Sequence, residues 1–233
     1  MDLPNMNTAN RFHAFSNTLV LLGAGALCFF GVDFYLSEAS SFNQWKKEGN
    51  FALLSIDANG GLAPLPRSYV RQTAALEMCN EALIAPIKPF YEAASVRMTA
   101  EACRAQAQKA LAGTPSWGLA HFSLARAEFE SGNREASIAA YVVSGQTAPN
   151  EGWITQKRVL LALDIGIDDA VRPVFEQDIR LLLSEPRLAA WLAQVYLALP
   201  QHRDAIVTAA ETGSQNDKAK FLSSIRRTMR AAS

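Results

Sequence analysis

Residues 117–150 read WGLAHFSLARAEFESGNREASIAAYVVSGQTAPN, and two helices joined by a tight turn are written into them. The first helix runs from about Trp117 to Ser131. Gly132-Asn133 is a turn signal, because both residue types tolerate the backbone that reverses a chain. The second helix runs from about Arg134 to Gln146, and Pro149 closes the unit. A helix pair of this size cannot bury its apolar face alone, so it has to stack on others of its kind.

Working outward, the same punctuation recurs. Thr114-Pro115 follows Ala110-Leu111, Thr147-Ala148-Pro149 comes 34 residues later, and Pro186 lies 37 beyond that. A tryptophan follows each proline: Trp117, Trp153 and Trp191. Chance produces one such pair; three in register argue for a repeated helix pair. The unit between is degenerate, with Gly166 as its turn and Pro173 near the start of its second helix. The last unit reads WLAQVYLALPQHRDAIVTAAETG.

Composition agrees with an all-α chain. About one residue in six is alanine, the best helix former. Of 233 residues 49% are apolar, and 22 basic residues balance 22 acidic ones. That balance argues against nucleic-acid binding, which calls for a basic excess, and against an acidic disordered chain. Three cysteines are too few for a disulfide-framework miniprotein.

The repeated unit resembles the tetratricopeptide repeat. Ala125 matches that family's small residue where the two helices cross, Gly132 its turn glycine, Ile138 and Tyr141 its apolar pair, and Pro149 its closing proline. Glu128 departs from the pattern, standing where a large aromatic is usual, with Phe129 adjacent; Ala136 and Ser137 share the place of one alanine. In the last unit Ala193 matches the crossing residue, Tyr196 the large one and Ala205-Ile206 the second helix, while Pro200 replaces the turn glycine. The likeness covers roughly residues 84–217. It implies an α-solenoid of antiparallel helix pairs over residues 68–233, binding proteins in a groove lined by the first helix of each pair. That proposes Leu119, Phe122, Arg126, Phe129 and Glu130 in the best unit, and Ala190, Gln194 and Leu197 in the last. The competing reading makes Phe122 and Phe129 ordinary core.

Within that domain Ser68 is a suitable N-cap. Val70, Ala74, Leu76, Cys79 and Leu83 then recur at spacings near three and four, until Pro86 and Pro89 end the helix. A helix from about Pro89 to Arg97 and another from Thr99 to Ala112 are expected next. Cys79 and Cys103 fall on neighbouring helices, where small residues permit a close crossing. They are either bridged, in an oxidising compartment, or buried as reduced thiols. A final helix over about Asp217 to Ala231 carries Lys218, Lys220, Arg226, Arg227 and Arg230. It reads as a polar capping face, or as a basic patch for lipid headgroups or an acidic partner.

Upstream, residues 1–14 form a short tail and residues 15–36 a membrane anchor. The run FSNTLVLLGAGALCFFGV is uncharged over 18 residues, just long enough to span. A signal peptide cleaved after Ala39 and a buried soluble helix are the competing readings. Arg11 on the short side, against the more distant Lys46 and Lys47, favours a cytoplasmic N-terminus. The expected location is therefore the inner membrane, with the domain in the periplasm. Small residues at Gly23, Ala24, Gly25 and Ala26 let another helix approach. Residues 37–67, with Asn59-Gly60-Gly61, Pro64 and Pro66, read as a tether. Its Phe51, Leu53, Leu54 and Ile56 are apolar enough to dock on the domain or on a partner.

No chemistry stands out. The histidines His13, His121 and His202 show no HExxH or CxxC context, and there is no GxSxG. Asp168-Asp169 reads as helix-start acids, and a His121–Glu128 acid–base pair has little behind it. The expectation is a non-enzyme with no cofactor or metal and no nucleic-acid partner. It would be a membrane-anchored scaffold for protein partners in an envelope assembly. The alternative is a single-span accessory subunit stabilising a multi-span enzyme or transporter, as in polysaccharide synthesis, export or secretion. From the uncharged run, the mature protein is expected to keep its N-terminus and to resist alkaline carbonate extraction. N-terminal sequencing that begins at Ser40 would show signal-peptide removal instead.

Overall fold

The computed structural model describes residues 20–33, 35–36, 56, 62–85 and 88–232. The tail, the tether residues Phe51, Leu53, Leu54 and Asn59-Gly60-Gly61, and Pro86 lie outside the described residues. Among the described residues the regular structure is entirely helical. After residue 68 the described residues form nine α-helices: α1 Tyr69–Ile84, α2 Ala93–Gly113, α3 Gly118–Glu130, α4 Arg134–Thr147, α5 Gly152–Ile165, α6 Arg172–Ser184, α7 Pro186–Ala198, α8 Arg203–Glu211 and α9 Gln215–Ala232. Short 3-10 turns lie at Lys88–Phe90 and Pro200–His202.

The hairpin of α3 and α4 forms as its residues dictate. Gly132 takes a φ of 81°, a conformation that side chains with a Cβ disfavour. Gly132 N–H donates to Phe129 O and Asn133 N–H to Glu128 O, both at 2.9 Å, which satisfies carbonyls left over at the end of α3. Asn133 then caps α4, its side chain accepting from Ala136 N–H. The two helices touch closely at both ends. Ser137 Oγ donates to Ala125 O at 2.8 Å, and Ser144 Oγ to Gly118 O at 2.9 Å. A Cβ added at Gly118 would collide with the Ala148 methyl.

One boundary differs from the sequence expectation. Residues 93–113 are a single helix, not two helices meeting near Thr99. The Thr99 hydroxyl donates back to Ser95 O at 2.9 Å within that helix, so it does not cap a new one. Pro89 lies in the 3-10 turn before α2.

Helix α3 is the centre of the domain. Its main neighbours are α1, α2, α4 and α5, and none of its residues is exposed. Alanines at 100, 107, 120, 125 and 127 are buried, which lets these helices approach closely. Helices α1, α3 and α5 run parallel. Tyr69 stacks on Trp117 with centroids 4.8 Å apart at the starts of α1 and α3, while Arg126 reaches Asp164 near the ends of α3 and α5. A disulfide joins Cys79 of α1 to Cys103 of α2, with Cα atoms 5.6 Å apart. Ile56 is buried against Met78 and Ala82 of α1, so this tether residue docks on the domain. At the other end α9 packs on α7 and α6, with Tyr196 edge-on to Phe221.

Residues 20–33 are helical with every side chain exposed. Asp33 Oδ2 accepts from Arg67 at 2.6 Å, tying the end of this helix to the start of the domain. Among the described residues no helix is long and apolar enough to cross a membrane; of residues 15–36, only 20–33 and 35–36 are described.

Ala125 and Ala193 are both fully buried. Replacing either with Leu should overpack its crossing and cost about 1–3 kcal/mol in thermal or denaturant melts. Melts unchanged for both variants would place the helix crossings elsewhere.

Candidate functional site

The first place to look is the face expected to bind a partner. Leu119 and Phe122 are buried, and so belong to the core and line no surface. Arg126 is buried too, its Nη1 donating to Asp164 at 2.8 Å and lying 3.7 Å from Glu130. Glu130 is half-buried beneath Lys88, whose Nζ donates to both carboxylate oxygens at 2.8 and 2.9 Å. Phe129 is half-buried under the Arg126 guanidinium. Across the same face Lys157 of α5 pairs with Glu77 of α1 at 3.2 Å. The α3 half of the expected groove is therefore covered. The physical reason is that α1, α2, α4 and α5 surround α3, while Asp164 of α5 meets the charge of Arg126 and Lys88 that of Glu130.

The α7 half stays nearer solvent. Gln194 is exposed, and Ala190 and Leu197 are half-buried. Helix α7 packs on α6 and α9, so the structure does not join these residues to the α3 set.

A second constellation lies deep between α4, α5 and α6. Arg158 is fully buried. Its Nε donates to Asp178 Oδ2 at 2.9 Å and its Nη2 to Asp178 Oδ1, a two-pronged ion pair. Nη2 also donates to Thr155 Oγ1, and Nη1 donates to Ser144 O and Ala148 O at 3.3 and 3.0 Å. One side chain thus grips the end of α4, its own helix α5 and the middle of α6. Burial raises the Asp178 carboxyl above its ordinary value, and the Arg158 hydrogen bonds and charge only partly offset this. An acid raised in the fold adds stability below its ordinary pKa and loses that contribution as pH rises through the folded value. At neutral pH the pair therefore sets register more than it adds stability. Tyr141 of α4 is buried nearby. Burial, and then the Asp178 charge, push its hydroxyl well above the ordinary tyrosine value, against Arg158.

Sequence reasoning passed over this pair, although the signal was there. Arg158 falls three before Leu161 and four after Ile154, and Asp178 falls three after Phe175 and four before Leu182. Both are charges at positions that periodicity assigns to a buried face.

The other candidates do not assemble into a reactive site. His121 Nε2 lies 2.8 Å from Pro115 O, while Glu128 accepts from Asn133 and lies 3.9 Å from Arg104, so the two have separate partners. Asp168 accepts from Ala170 and Val171 N–H at the turn before α6. The Arg134 hydrogen bond, its largest influence, holds its carboxyl below the ordinary value. Among the described residues no group of His, Cys, Asp and Glu is arranged to hold a metal ion.

Among the described residues an apolar cleft with charged edges lies between α7, α8 and α9. Phe221 and Ala210 form its floor beside Tyr196, while Val207, Leu222 and Lys218 stand around its mouth. Compared with known proteins, the chain matches no family model, no curated protein and no solved structure.

Truncating either member of the buried pair alone, as Arg158→Ala or Asp178→Ala, should cost about 3–5 kcal/mol by stranding the other charge. The double variant Arg158→Met, Asp178→Leu should lose far less in the same denaturant titration. A double variant no better than the singles would contradict the registering role.

Proposed function

We propose that this chain is a membrane-tethered scaffold, built from tetratricopeptide-like helix pairs, that engages a protein partner on the periplasmic side of the inner membrane. The observation that carries this reading is the helix over residues 20–33. It displays Leu21, Leu22, Leu27, Phe29 and Phe30 to its surroundings and joins the helical domain through the Arg67–Asp33 pair. A helix that is apolar all round is suited to lipid. The Cys79–Cys103 bridge supports the periplasmic side, because such bonds persist in oxidising compartments. On the chain-entropy model a loop of this length is worth about 3 kcal/mol.

The accessory-subunit reading also has a specific observation behind it. The enclosure of α3 leaves no open peptide groove along that helix, which suits a stabilising module better than a peptide receptor. In that case the small residues Gly23 and Gly25 would pack on the span of a larger membrane protein.

Crosslinking in intact cells, followed by purification in mild detergent, separates the two. For the scaffold, the crosslinked partner should remain when Gly23 and Gly25 are replaced with Leu in the full chain. A polytopic partner lost with that change favours the subunit. Compartment is read separately by alkylating unreduced, denatured protein before mass spectrometry. A linked Cys79–Cys103 peptide is expected, and full alkylation of both cysteines contradicts the periplasmic assignment.

A further inference from the structure

Helix α9 packs on the domain through Phe221 and Ser224, both buried. Helical spacing sets a second stripe beside that face: Lys218, Leu222, Ile225 and Met229, at intervals of four, three and four. Leu222 is 53% exposed and Met229 56% exposed, while Val207 on α8 faces the same cleft at 39%. An apolar stripe on a capping helix should be polar if it served only to end the stack. Arg226 flanks the stripe, four residues from Leu222 and three from Met229. The side chains of Lys218 and Arg226 make no hydrogen bond or ion pair among the described residues. Lys220, on the far side of α9, lies 3.5 Å from Asp217 and also donates to Ser184 O. Glu211 is the acidic side chain at the cleft.

We infer that this cleft docks an amphipathic helix of another protein, one that offers a large apolar side chain to the pocket over Phe221 and carboxylates to Lys218 and Arg226. The inference rests on the protein-binding reading above. Charge complementarity selects the occupant. Two cations whose side chains pair with none of the described residues border an apolar stripe spaced to receive the ridge of a helix. A second copy of this chain would bring two cationic rims together. A lipid surface would supply negative charge but no side chain to fill a concave floor.

The test uses the full chain in nanodiscs of neutral phosphatidylcholine and two fluorescein-labelled helical peptides. The peptides share a Leu/Phe stripe and differ only in Glu or Lys flanks. The Glu-flanked peptide should bind roughly ten-fold more tightly, with the difference shrinking as salt is raised. Charge reversal by Lys218→Glu and Arg226→Glu should invert that preference, and Leu222→Ser should weaken both peptides. These positions are exposed or half-buried, and circular dichroism melts confirm that each variant is folded. Equal binding of the two peptides, or a preference untouched by charge reversal, overturns the inference. So does Leu222-dependent self-association, or binding only to phosphatidylglycerol vesicles with neither peptide bound. A cellular partner crosslinked through a different surface would keep the scaffold reading and remove this site.

Discussion

The Arg158 guanidinium is buried where water cannot serve its donors, so each of its N–H groups must find a protein acceptor. They find the Asp178 carboxylate, the Thr155 hydroxyl and the carbonyls of Ser144 and Ala148. These acceptors belong to α4 and the residue after it, to α5 and to α6. They can be reached together only when the three elements hold one relative position. Apolar contacts tolerate small slips; a desolvated charge does not. Fixing α5 against α4 also fixes the hairpin of α3 and α4, because Ser137 and Ser144 tie those helices backbone to side chain.

From that fixed centre the domain builds in both directions. Toward the N-terminus, α1 and α2 wrap α3 and are joined by Cys79–Cys103. The pairs Lys157–Glu77 and Lys88–Glu130 close the face that a peptide groove would need. Toward the C-terminus the packing opens. Helix α9 buries one face on α6 and α7 and leaves Leu222 and Met229 exposed.

How much of this was legible in the sequence depended on how local the cause was. The Gly132-Asn133 turn, the helices flanking it and the small residue Ala125 at the crossing follow from turn chemistry and helical spacing, which act within one unit. The final helix was read within two residues at its start and one at its end for the same reason. Thr99 reads as a helix start, but its hydroxyl bonds back within its own helix. Leu119, Phe122 and Arg126 were placed on a groove because family likeness describes one unit at a time. Their burial comes from several helices packed around α3 at once, with Asp164 of α5 reaching Arg126 from 38 residues away, which no local pattern encodes. The Arg158–Asp178 pair lay between these cases. Each residue breaks an apolar face visibly, but their pairing across two helices shows only in three dimensions.

The buried guanidinium can be observed directly. In nitrogen-15 labelled protein, the Arg158 Nε–H signal, assigned by its loss in Arg158→Met, should exchange with deuterated solvent only as fast as the whole domain unfolds. Exchange of that proton at the rate of an exposed arginine such as Arg226 would contradict the account, because it would show the α4–α5–α6 junction open to water.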